Sequence, residues 1–172
     1  MSPYLVESRL QDIIAAIQVM GSYPKFTSRE TDRWAAKLGK PKSGADWYDV
    51  CSEHPEFFRT NVTSRNGPQK WVGLRWRWAL DEDYSPTERV RLGQDRIDGM
   101  PAGEKKKLTR PPLESSQIEA LISSAIQLHS RAIEDRKEAR WLLPIIIPAA
   151  MGLVGVIIGA LGAAWLKLSV GA

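Results

Sequence analysis

Over the first eighty residues the apolar positions change period. Leu5, Leu10, Ile13, Ile14, Ile17 and Met20 recur at helical spacing, with Glu7, Arg9 and Asp12 on other faces, so residues 4–20 predict a helix. Gly21-Ser22-Tyr23-Pro24 ends it. Thr27 and Glu30 have capping-box spacing, in which each side chain satisfies a backbone donor freed at a helix start. A second helix is therefore predicted from Thr27 through Trp34, Ala35 and Leu38, stopping at Gly39. Ser43 and Asp46 offer a cap to a third helix, which carries Trp47, Tyr48, Val50 and Cys51 until Pro55 disturbs it. From there the period is two. Phe58, Thr60 and Val62 alternate with Arg59 and Asn61, and Asn66-Gly67 marks a hairpin turn. The return strand is predicted to run to Leu80, with Val72, Leu74, Trp76, Trp78 and Leu80 on the core face and Gly73, Arg75, Arg77 and Ala79 on the other.

Beyond residue 80 the pattern thins. Asp81-Glu82-Asp83, Gly99-Met100-Pro101-Ala102-Gly103, Lys105-Lys106-Lys107 and Pro111-Pro112 leave few apolar residues to offset the entropy of ordering, so 81–115 is expected to be a polar linker. Ser116 and Glu119 form another capping box. Ile118, Leu121, Ala125, Leu128, Ala132 and Ala139 then fall near a/d spacing, which predicts an amphipathic, coiled-coil-like helix over 116–140. It leads into the uncharged run Leu142–Leu166, flanked by Trp141 and Lys167. At about 1.5 Å per residue this run can cross a hydrocarbon core about 30 Å thick, so 141–166 is expected to be a transmembrane helix, with 167–172 a short tail. On it Gly152, Gly155, Gly159 and Gly162 line one face, a stripe on which two helices can approach closely and self-associate.

Three helices followed by a hairpin over residues 4–80 resemble a winged-helix domain. The resemblance implies an α+β fold: a winged-helix-like domain over 1–80, then the linker, the amphipathic helix and one C-terminal span. The stretch His54-Pro55-Glu56-Phe57-Phe58-Arg59, with Leu74-Arg75-Trp76-Arg77, is also similar to small uncharacterised bacterial membrane proteins, a likeness that implies no activity.

Charge and chemistry alter the picture in three ways. The net charge is +4, and residues 1–80 carry twelve Lys/Arg against eight Asp/Glu, whereas 81–140 carry eleven against twelve. Arg131, Arg136, Lys137 and Arg140 before the span, against Lys167 after it, orient the N-terminal domain to the cytoplasm of an inner membrane, and no signal peptide is evident. The helix in the recognition position bears Asp46, Asp49, Glu53 and Glu56, which oppose phosphate. The candidate contacts for nucleic acid or a protein partner are instead Arg29, Arg33, Lys37, Arg65, Lys70, Arg75 and Arg77. The tryptophans are assigned to core packing in preference to a binding platform.

Cys51 and His54 make half of a zinc pattern and find no second half, so no metal or cofactor is expected, and no nucleophile–base constellation points to an enzyme. The leading expectation is a membrane-anchored recognition or adaptor protein, a homo-oligomer with an unidentified protein partner. A membrane-perturbing effector of toxin or phage-defence type and a membrane-tethered nucleic-acid-binding regulator stand as alternatives.

Overall fold

Arg9–Ser22 forms helix α1 because Ile13, Ala16, Ile17 and Met20 share one face, and all four are buried. The computed structural model describes residues 2–25, 27–63 and 68–138. A 3-10 turn at Pro3–Leu5 precedes α1. Strand β1 (Ser28–Glu30), helix α2 (Thr31–Leu38), helix α3 (Trp47–Ser52) and strands β2 (Phe58–Thr63) and β3 (Gln69–Leu74) follow. The architecture is α+β. The strands form one antiparallel sheet in the order β1-β3-β2, with Ser28 and Arg59 both opposite Gly73, and Glu30 and Asn61 both opposite Trp71.

Alternation decides which face of the sheet meets the helices. Phe58, Val72 and Leu74 point inward and pack with Trp34, Trp47, Val50, Cys51 and the α1 stripe. The two core tryptophans also place their polar tips. Trp34 Nε1 donates to the Val72 carbonyl at 3.1 Å, and Trp47 Nε1 donates to the Gly39 carbonyl at 2.7 Å. Gly39, at φ 78°, ends α2 in the left-handed region that favours glycine. Asp46 caps α3 by accepting from the Asp49 amide at 2.9 Å. The capping box expected at Thr27 does not form, because residues 28–30 pair with β3 and the helix starts at Thr31.

The return strand ends six residues before Leu80. Arg75–Trp78 is a helical turn, α4, and this removes Trp76 and Trp78 from the core face to which continued alternation assigns them. Trp76 is 47% exposed. Arg77 turns inward. Its guanidinium is 0% exposed and donates to the carbonyls of Met20 (3.0 Å), Arg110 (2.8 Å), Pro111 (3.0 Å), Pro24 (3.4 Å) and Tyr23.

The expected linker over 81–115 is instead folded against this domain. Strands β4 (Tyr84–Ser85) and β5 (Val90–Arg91) pair, and short helices α5 (Gln94–Asp98) and α6 (Ala102–Lys105) follow. Tyr84 and Thr109 exchange backbone bonds at 2.9 and 3.0 Å, and the Leu113 amide donates to the Gly21 carbonyl at 2.9 Å. Tyr84, Leu92 and Leu113 are buried, so a few well-spaced apolar anchors suffice when Arg77 and backbone bonds supplement them.

Residues 115–138 are helical and form α7. The chain divides after Ser130 into two units, and 131–138 are the described part of the second. Within the first unit, Leu121 and Ala125 of the expected coiled-coil seam are buried in this chain. Ile118 lies over Gly21, and His129 Nδ1 is 2.9 Å from the Tyr4 carbonyl. Within this unit the face expected to meet another helix is thus covered by the same chain, with Ile118 on α1 and His129 at the N-terminal turn.

The membrane expectation is corrected. Among the described residues no helix is long and apolar enough to cross a membrane, and the inner-membrane location is withdrawn on that finding. The span assigned to 141–166, with Gly152, Gly155, Gly159 and Gly162, lies outside the described residues, as does Arg65.

Candidate functional site

The sheet face turned away from the helices carries the candidate site. Period-two geometry places Ser28, Gly73 and Arg59 in one cross-strand row and Glu30, Trp71 and Asn61 in the next. Trp71 is fixed by its Nε1–H, which donates to Thr63 Oγ1 at 3.1 Å. Trp78, delivered by the α4 turn, leans over the same face. A groove of about 180 Å³ lies between them, lined by Arg59, Asn61, Thr63, Gly73 and Ser28. Gly73 is required there by close approach, since a Cβ would sit 2.7 Å from the Thr27 carbonyl oxygen.

Two guanidinium groups hold the Trp78 indole. Arg59 Cζ is 4.6 Å from its ring centroid and Arg110 Cζ is 4.1 Å away, both within cation–π range. Arg110 is itself fixed, donating from Nε to the Leu80 carbonyl at 2.7 Å and from Nη1 to Glu82 Oε1 at 2.6 Å. Ser28 and Trp78 also border a second, larger cleft of about 500 Å³, whose rim includes Lys25, Lys106, Lys107, Arg110 and Glu82. Its far wall belongs to the 81–110 excursion, tied to the residue before β1 where the Thr27 and Thr109 hydroxyls share a hydrogen bond of 2.9 Å. Groove and cleft together present planar aromatic surface, hydroxyls and excess positive charge in a concavity, a composition suited to recognising an anionic or polar chain.

Most of the basic residues proposed from sequence lie elsewhere. Arg29 is on β1 opposite Val72. Arg33 pairs with Glu30 at 3.1 Å, and Lys37 lies over the Tyr23 ring at 5.5 Å. Lys70 bridges to Asp46 at 2.8 Å and approaches Asp49 at 3.9 Å. Burial works to raise the Asp46 pKa, yet the hydrogen bonds from Lys70 and the Asp49 amide outweigh it and hold the carboxyl below its ordinary range. Arg75 donates to the Pro55 carbonyl at 2.8 Å. Arg77, expected on the contact surface, is a buried structural cation. Burial lowers its pKa to about 10, which leaves it charged at neutral pH.

Sequence reasoning misses Arg59 and Arg110 as site residues, and it assigns Trp78 to the core in preference to a binding platform. The alternation of arginine and tryptophan from Arg75 to Trp78 is also the pattern of a half-buried strand, so it gives no signal that singles out Trp78 or its two arginine partners.

A second polar cluster lies at the other side of the helices. His54 lies on the loop between α3 and β2, as expected, and is buried there; its Nδ1 is 3.1 Å from Glu56 Oε1, and its ring meets Tyr4 edge-on at 4.5 Å. The Tyr4 hydroxyl donates to the same Glu56 oxygen, and burial raises its pKa further than that contact does. Burial lowers the His54 pKa, opposed by the Glu56 hydrogen bond. Cys51 beside it is fully buried, and burial raises its thiol well above the usual range, which suits a packing residue. Comparison of the chain with known protein families, with characterised proteins and with solved structures finds no match.

Proposed function

We propose that the chain is a recognition protein built on a winged-helix-type domain, which binds a segment of a protein partner on the sheet face opposite its helices. The helix–strand order of α1, β1, α2, α3, β2, β3 and the sheet order β1-β3-β2 support the finer fold reading. The observation that carries the function is the groove between Trp71 and Trp78, with Arg59 and Arg110 against the second indole. Indole and guanidinium side chains are enriched among the few residues that dominate binding energy at protein interfaces.

A groove-reading role for α3 fits less well. The helix has six residues, Asp49 is about half exposed on it, Glu53 at its C-cap is paired with Arg9, and Lys70 already neutralises Asp46. The helix itself carries no Lys or Arg, and the cations beside it are already paired with its carboxylates.

The test is affinity capture on the immobilised full-length chain, with nuclease treatment and a salt series. Proteins that survive nuclease and are lost from Arg59→Ala and Trp71→Ala chains support the reading. Captured material that disappears with nuclease, or that is indifferent to both substitutions, overturns it.

A further inference from the structure

We infer that the larger cleft beside Trp78 binds a single phosphate group, that of a phosphorylated serine or threonine on the partner protein. This inference deepens the recognition reading and depends on it for the partner's class. Arg110 supplies the main reason. Its side chain is only 15% exposed, and its Nε and Nη1 are already committed to Leu80 and Glu82. The indole of Trp78 lies against its plane. The guanidinium is therefore fixed before any ligand arrives, while Nη2 has no bond to a described residue. A pre-positioned planar donor at a concave surface matches the geometry of phosphate oxygens, and holding it in place beforehand lowers the cost of binding.

The surroundings fit the same ligand. Lys106 and Lys107 reach the cleft rim from the turn after α6, and neither forms an ion pair with a described residue. Thr27 and Thr109 share one hydrogen bond, so whichever hydroxyl accepts it keeps its own proton for a ligand oxygen. Lys106, Lys107 and Arg110 outnumber Glu82, which suits a group that carries about two negative charges at neutral pH. A long polyanion fits less well. The cationic rim is short, and Glu88 and Glu104 line the adjoining hollow that a continuing strand of phosphates would have to cross. The volume of about 500 Å³ admits a phosphorylated side chain with part of its flanking backbone.

The experiment uses the full chain and titrates inorganic phosphate, N-acetyl-O-phosphothreonine amide, the same amide without phosphate, and a duplex oligonucleotide. The readout is the tryptophan fluorescence change that is absent from Trp78→Phe. Inorganic phosphate and the phosphothreonine amide are expected to give the same saturable change and to compete, with a Kd for the small probe of about 1 mM. The unphosphorylated amide should give none. Lys106→Ala with Lys107→Ala should weaken phosphate binding at least about tenfold, or about 1.4 kcal/mol. Lys105→Ala, whose ammonium is held on the Asp98 carbonyl, should bind as the parent does. All three lysines are exposed, so the variants are expected to fold, and their unfolding midpoints check this.

The inference is overturned by no response to either phosphate probe, by equal binding of Lys106→Ala/Lys107→Ala, or by tighter oligonucleotide binding with a salt slope of several phosphates. If phosphate fails while capture still depends on Arg59 and Trp71, only this inference falls. If capture fails as well, the recognition reading falls with it.

Discussion

Replacing Arg77 by methionine keeps most of the side-chain volume and removes the guanidinium, and its cost can be worked from the structure. Bonds from Arg77 to the carbonyls of Met20, Tyr23, Arg110 and Pro111 are short or of ordinary length; the Pro24 bond, at 3.4 Å, is weak. At about 2 kcal/mol for each charge-assisted bond, the four contribute about 8 kcal/mol. Burial opposes this. It lowers the guanidinium pKa from 12.5 to about 10, a penalty on the charged form of about 3 kcal/mol. Methionine escapes the penalty and gains about 1 kcal/mol of apolar burial, leaving a net loss of about 3–5 kcal/mol. Urea unfolding followed by tryptophan fluorescence measures the loss directly. Heating should show a midpoint lowered by about 10–20 °C. Because Arg77 ties the end of α1 and the loop after it to residues 110–111, cleavage within 81–110 should also begin at lower protease concentration. A midpoint within about 3 °C of the parent would refute the assignment of Arg77 as the residue that fastens the excursion to the domain.

Three further outcomes follow from buried or crowded groups. Asp12 accepts from the Lys42 amide, the Ser43 amide and the Ser43 hydroxyl at 2.8, 2.7 and 2.6 Å, so Asp12→Ala should cost about 2–4 kcal/mol in urea unfolding, and Asp12→Asn less. Gly73→Ala forces a Cβ against the Thr27 carbonyl and Ser28, and should cost about 1–3 kcal/mol while loosening the β1–β3 pairing seen by amide exchange. His54 takes up a proton less readily when buried than in the unfolded chain, so unfolding favours protonation. Its contribution to stability is therefore complete above about pH 6.5 and is lost as pH falls below it. His54→Gln should flatten the stability profile between about pH 7 and 5, and an unchanged slope would remove His54 as its source.

The helices and the hairpin were legible because local signals agreed with the packing. The α1 stripe, the Asp46 cap and the Gly39 stop each predict an element that forms. Three features were not legible, for separate physical reasons. Thr27 and Glu30 have capping-box spacing, yet residues 28–30 pair with β3 and that pairing prevails. Continued alternation beyond Leu74 gives no warning of the α4 turn, which brings Arg77 inside and leaves Trp78 out between two arginines. The 81–115 segment looks like a linker because its order comes from Arg77, Thr27 and main-chain bonds supplied by residues distant in sequence. The seam of α7 shows the opposite limit: heptad-like spacing identifies an apolar face but not its occupant, which for Leu121 and Ala125 is this chain. The membrane assignment rested on residues beyond 140, and no described helix supports it.

Amide hydrogen exchange of the full chain, free and bound to a nuclease-resistant captured partner, reads out directly which surface does the binding. The expected result is added protection in residues 59–63 and 106–110, beside Trp78, with the α3 segment 47–53 unchanged. Protection concentrated in 47–53, with the sheet face and the cleft exchanging as in the free chain, would contradict it.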